Sequence, residues 1–177
     1  VGRGIKANEA FRAAVSEDPG FVRAHFAQSN AALSFAEFQQ SLDAAQPHLD
    51  SVSDGERRLI EINRTFLTND SDRGLQLATE LADLFPNSPR AHLVLAGMQA
   101  NQNDNVGARE SFGKALELDS RSVGALFGLA GNYLFGEPKD FGQAETYARL
   151  ALEAYPDEAK GYEMLGDIMR AQNNLEA

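Results

Sequence analysis

Residues 105–120 read NVGARESFGKALELDS, and the stretch places Ala108, Phe112 and Ala115 four and then three residues apart. Apolar side chains at that spacing form one face of an α-helix, which Leu116 and Leu118 extend up to a polar stop. The inner face runs small, large, small. The pattern then returns, as Ala7, Phe11 and Ala14 ahead of Asp18-Pro19 and as Ala144, Ala148 and Ala151 ahead of Tyr155-Pro156. A helix that recurs together with its stop signal is one unit of a repeat.

Outward from this unit the chain reads as alternating helices and polar turns. Towards the N-terminus, a helix over 5–17 ends at Asp18-Pro19-Gly20, a second runs from Phe21 to about Ser34, and a third from about Glu37 to Leu49 with Pro47 disturbing its last turn. Ser53 with Glu56 three residues later is a capping box that opens a helix holding Leu59, Ile60, Ile62, Phe66 and Leu67. The next helix buries Leu75, Leu77, Ala78, Leu81 and Leu84, and Pro89 restarts the chain in the first turn of a helix running to Asn101. Towards the C-terminus come a helix rich in Leu126, Phe127, Leu129, Tyr133 and Leu134, a loop over 135–139, its partner helix over 141–155, and a helix over 159–171. Residues 173–177 read as a turn and the start of another helix, so both ends of the sequence are expected to cut through repeats.

Small residues near the start of each second helix, Ala7, Ser41, Gly74, Ala108 and Ala144, are separated by 34, 33, 34 and 36 residues. An independent position in the first helices, His25, Arg58, His92, Leu126 and Tyr162, repeats at 33, 34, 34 and 36. A helix-turn-helix unit recurring at about 34 residues resembles the tetratricopeptide repeat. Tyr162, Leu165, Gly166 and Met169 match that family's first-helix signature, as do Leu126, Leu129, Ala130 and Tyr133, while residues 105–120 supply the second-helix signature. Residues 21–86 depart most, with Gln28, Ser29, Glu61, Ile62 and Thr65 where leucine, glycine and tyrosine are usual. The resemblance implies an all-α, right-handed α-solenoid of antiparallel helix-turn-helix repeats, about ten helices in one array: a second helix over 1–20, full repeats over 21–53, 54–87, 88–121 and 122–157, and the start of another over 158–177.

Composition narrows the function classes. Sixteen basic against 26 acidic side chains leave a net charge of −10, a field that opposes nucleic acid and anionic membranes. The chain has no cysteine, which excludes disulfides and thiolate chemistry and leaves cytoplasm and periplasm equally compatible. No apolar run approaches the ~20 residues needed to cross a bilayer.

Catalytic and metal patterns are missing in the same way. His25 and His92 occupy equivalent places two repeats apart, too far to share a metal, and His48 has no evident ligand companion. Asp70 and Asp72 alternate as in a calcium loop, but Leu75 and Leu81 stand where glycine and glutamate are required, which leaves helix capping as the reading. Gly124, Gly128 and Gly131 lie within a helix and follow no strand, so they serve close packing and no phosphate cradle. No enzyme activity, cofactor or metal is expected.

A surface remains. In the family that the chain resembles, first helices line a concave groove. Carried over, this places Arg23, Phe26 and Asn30 beside Leu59, Asn63 and Phe66, followed by Arg90, Leu93 and Gly97, then Phe127, Gly131, Leu134 and Phe135, and last Lys160, Glu163, Asp167 and Arg170. Some family members clamp a carboxylate there with lysine, asparagine and arginine. Asn30 fits that set, but Phe26 replaces the lysine, so that clamp is not expected. Phe127, Leu134 and Phe135 have a second reading, as packing against neighbouring helices. The expectation is a non-catalytic interaction module that seats a peptide segment of a partner protein. Its alternative is a spacer or self-association arm of a larger catalytic, sensor or membrane-associated protein, joined through apolar surface at the cut ends.

Overall fold

The computed structural model describes residues 2–173, with side chains from Lys6 onward. Among the described residues there are ten α-helices, one short 3-10 helix and no strand. The helices are α1 (Gly2–Glu17), α2 (Val22–Asn30), α3 (Phe35–Ala45), α4 (Asp54–Thr68), α5 (Ser71–Leu84), α6 (Pro89–Asn101), α7 (Asn105–Leu118), α8 (Val123–Phe135), α9 (Phe141–Ala154) and α10 (Ala159–Asn173). Most of the turn and helix start expected over 173–177 lies outside the described residues. The chain divides into two compact units, one ending at Leu77 and the other beginning at Ala78, within α5.

In the first unit the expected boundaries shift at one turn. α2 stops at Asn30, four residues before Ser34, because Ser34 is the N-cap of α3 and its hydroxyl accepts from the Glu37 amide at 3.2 Å. The Glu37 carboxylate closes the turn by accepting from the Leu33 amide (3.0 Å), Arg12 (2.7 Å) and Asn8 (2.9 Å), while Asn8 also donates to the Ala31 carbonyl at 3.0 Å. One buried asparagine and one carboxylate thus tie α1 to the α2–α3 turn. Pro47 acts where expected: α3 ends at Ala45, and Gln46–Ser51 tightens into a 3-10 helix. The capping box of α4 is complete, with Ser53 accepting from the Glu56 amide and the Glu56 carboxylate accepting from the Ser53 amide at 3.1 Å. Val22, Leu42, Ala45, Leu49 and Ile60 form the core between these elements, with Phe26, Phe38, Val52 and Leu67 against it.

In the second unit, α7 contributes Ala108, Phe112 and Ala115 to a core with Ala96, Ala125 and Leu129. α9 contributes Ala144 and Ala148 to a second cluster with Ala130, Leu134 and Ile168. Ala108, Ala115, Ala144, Ala148 and Ala151 have no exposed surface at all, so no larger side chain fits at those crossings. Leu84 is an exception to the expected burial and stands 54% exposed at the end of α5.

The proline turns carry a recurrent pin. His25 Nε2 bonds to the Pro19 carbonyl at 2.8 Å, and His92 Nε2 to the Pro86 carbonyl at 2.8 Å. Tyr162 repeats the arrangement, its hydroxyl donating to the Pro156 carbonyl at 3.2 Å. A carbonyl only accepts, so Nε2 carries the proton in both histidines.

Two measurements test this packing. A β-carbon at Gly128 would run into the Phe112 ring, whereas one at Gly97 meets nothing within 4 Å. Gly128→Ala is expected to destabilise by about 1–3 kcal/mol despite its better helix propensity. Gly97→Ala is expected to stabilise by roughly 0.5–1 kcal/mol, both read from urea denaturation. The second test concerns Glu37, whose carboxyl is pulled from 4.5 down to about 2, first by the Leu33 amide and then by Arg12 and Asn8. A lowered carboxyl stabilises the fold above its unfolded value and loses that effect as pH falls towards its folded value. The advantage of the native protein over Glu37→Gln in denaturation midpoint should be constant above pH 4.5 and fade between 4.5 and 2. An advantage that stays level across that window would contradict the assignment.

Candidate functional site

The first helices of the repeats carry the residues expected to line a groove. In the first unit these are α2 and α4, and the two run in register. The Arg23 guanidinium pairs with Glu56, and Asn63 Nδ2 donates to Asn30 Oδ1 at 3.1 Å. Both pairs span 33 residues, one repeat. Asn30 Nδ2 also donates to the Phe26 carbonyl at 2.9 Å. The Glu56 carboxyl is held below its ordinary value by the Ser53 hydroxyl and by Arg23. Phe26 is half-buried against the core and Leu59 is half-buried, while Phe66 is 46% exposed.

In the second unit, α6, α8 and α10, with Asn105 and Phe112 of α7, line an open cleft of about 740 Å³. Phe127, Gly131, Phe135 and Lys160, all expected at a groove, meet there. The Phe127 ring is buried and forms floor, with the Lys160 ammonium 5.1 Å above its centre. Such a contact holds a cation over an aromatic face without neutralising it. Phe135 is 69% exposed and stands as a ridge, because it also lines a neighbouring cleft of about 790 Å³ with Asp167, Phe141 and Ala171. Glu137 also lines both, with Lys139 at 3.6 Å.

Leu134, also expected at the groove, is 3% exposed: it packs among Ala130, Ala144, Ala148 and Ile168 and lines the second cleft beside Phe135. Phe135 projects further outward because successive residues on a helix diverge by about 100°. Leu93 packs against the Ala96–Leu129 core and lies within contact distance of Gly124. Arg90 and Glu163 are exposed, and Arg170 pairs with Asp167.

Other lining residues were not expected from the sequence: Ala100, Asn103, Asn105, Phe112, Gly128, Asn132, Gly136, Glu137 and Met164. Asn105 and Asn132 bond to each other, Nδ2 of Asn132 donating to Asn105 Oδ1 at 3.1 Å. Behind them Arg109, on α7, reaches across to the end of α8. It donates to Asn132 Oδ1 (2.7 Å) and to the carbonyls of Asn132 (3.1 Å), Gly136 (3.2 Å) and Pro138 (2.8 Å). Its guanidinium also lies 4.2 Å from the centre of the Tyr133 ring, which stacks on Tyr147. Burial, and secondarily Tyr133, raises the Tyr147 hydroxyl above its ordinary range.

No group of three or more His, Cys, Asp or Glu side chains placed to hold a metal occurs among the described residues, and no described helix is long and apolar enough to cross a membrane.

Helix pairs of this kind, stacked at this spacing around an open cleft, define a repeat protein, and comparison identifies the repeat. Residues 68–131 match the family model of the tetratricopeptide repeat. The fold is similar along nearly the whole chain to solved structures, among them tetratricopeptide proteins. A thermophilic one from Thermus thermophilus superposes with a TM-score of 0.70 at 17% identity, covering 95% of this chain and 92% of that one. YrrB, a tetratricopeptide protein with an unusual peptide-binding site, gives 0.59 at 16% identity, covering 92% and 84%. The Cut9–Hcn1 hetero-tetramer of the APC/C gives 0.61 at 15% identity, covering 95% of this chain and 40% of that one. Residues 68–131 therefore carry the tetratricopeptide pattern, and the chain as a whole shares the helical-repeat fold of such proteins. Among curated proteins it is similar to cellulose synthase operon protein C of Xanthomonas axonopodis pv. citri (strain 306), at 33% identity over an alignment of 115 residues. That alignment takes in 58% of this chain and spans only 8% of the relative's length.

Proposed function

We propose that the chain is a non-catalytic interaction module and that the cleft between α6, α8 and α10 seats an extended or helical segment of a partner protein. The observation that carries this reading is Phe135, a large aromatic side chain 69% exposed on the ridge between two clefts, with the Lys160 ammonium over Phe127 in one of them. Exposed aromatics beside a concavity are where binding energy concentrates. The ammonium and the flanking carboxylates set orientation more than affinity. The Asn30–Asn63 and Arg23–Glu56 pairs mark a second contact region, on the first-helix face of the first unit. Tetratricopeptide repeats generally serve as protein-interaction scaffolds, which agrees with this reading, and YrrB is a case with a peptide-binding site.

A second reading is that the repeats act as a spacer or self-association arm within a larger protein. It is favoured by one observation: the alignment spans 8% of the curated relative, so most of that protein lies outside the matched repeats. A concentration-dependent dimer in sedimentation that survives Phe135→Ala would support it.

The cleft reading is tested with immobilised random 15-residue peptides. Phe135→Ala and Lys160→Ala are each expected to weaken the retained peptides about tenfold or more, as removal of a central contact does. Leu150→Ala, on exposed α9 surface, should leave them unchanged. Retention that survives both cleft substitutions would overturn the assignment.

A further inference from the structure

The wall of the cleft that carries Phe135 is the last turn of α8 and the loop after it, and helices end with carbonyls that have no partner in the helix. Here the Asn132 and Tyr133 carbonyls accept from the Gly136 and Asp140 amides, and a single guanidinium from another helix adds to Asn132 and takes the loop carbonyls of Gly136 and Pro138. Arg109 takes the carbonyls of Asn132, Gly136 and Pro138 and the side chain of Asn132, while Asn105, one turn earlier on α7, takes the amide of Asn132. The Asn105 side chain also fills the space a β-carbon at Gly136 would need, so the loop's path is shaped from the same side. A cation at a helix C-terminus is favoured electrostatically as well as by its hydrogen bonds. The arginine's planar fork supplies several donors in fixed directions, which a lysine cannot reproduce. The Tyr133 ring at 4.2 Å, itself stacked on Tyr147, braces the guanidinium.

We propose that Arg109 is the positioning residue of this cleft: from the scaffold helix α7 it locks the 132–138 wall in place, so that Phe135 is presented to a partner without ordering on binding. Arg109 does not itself line the cleft. The inference rests on the cleft reading for its functional meaning and on the free protein for its structural content, and the two are tested by separate readouts. Presenting a preset wall avoids the entropic cost of ordering a loop at the moment of association.

Hydrogen–deuterium exchange on the free protein is compared for wild type, Arg109→Gln and Arg109→Lys, with amides of α2 and α4 as the internal standard for folding. Exchange at residues 136–140 is expected to rise about tenfold or more in Arg109→Gln, and also in Arg109→Lys, which keeps the charge but loses the fork. The peptides retained by wild type should weaken in parallel. Phe135→Ala should weaken them with exchange at 136–140 unchanged. Unaltered exchange at 136–140 in both Arg109 variants overturns the positioning role. Increased exchange with undiminished peptide binding overturns its link to recognition. Should wild type retain no peptide, the cleft reading falls by itself and the exchange data still decide whether Arg109 locks the wall.

Discussion

The structure depends on how closely helices can approach. Neighbouring axes stand at ~8–10 Å only when the side chains between them are small, and in the second unit Ala108, Ala115, Ala144, Ala148 and Ala151 occupy those crossings with no exposed surface. Phe112 fills the space that the alanines leave and presses so closely on α8 that position 128 admits only hydrogen. One face of each second helix in this unit is therefore committed to the interior. What the repeat can vary without losing its fold is the outward face of the first helices, and there the exposed aromatic, the cation and the glycine-lined cleft are found.

The polar groups follow from the same arrangement. A stack of short helices has many ends, and each end leaves backbone groups to be satisfied. This chain answers with a small set of repeated devices: Ser34 and Ser53 as N-caps, Asn8 and Glu37 binding a turn to α1, His25, His92 and Tyr162 on proline carbonyls, and Arg109 on the end of α8. Tyr155 and Arg121 add another, the phenol donating to the Arg121 carbonyl and the guanidinium to the Ala154 carbonyl, across one repeat. Functional and structural polar residues are thus chemically alike.

Much of this was legible beforehand. The spacing of Ala108, Phe112 and Ala115 announced both the helix and its buried face, and counting from it located every paired helix to within a few residues. Phe127, Gly131, Phe135 and Lys160 could be placed on one surface because they occupy first-helix positions. The sequence carries further signals of this kind. Ser34 and Glu37 have the same spacing as Ser53 and Glu56, which marks the true start of α3, and each pinning ring stands six residues after a proline. The burial of Leu134 follows the i, i+4, i+8 stripe of Leu126, Ala130 and Leu134. Arg109 was not legible, because its partners are mainly backbone carbonyls that no side-chain pattern spells out.

On the proposed reading the second helices are scaffold and the first helices serve recognition. Amide chemical-shift mapping of the labelled protein with a retained 15-residue peptide tests that division directly. The perturbed amides should gather at Ala100, Gly131, Phe135 and Met164, on α6, α8 and α10 around the cleft. Perturbations gathered instead around Leu116, Leu150 and Glu153, on α7 and α9, would contradict it.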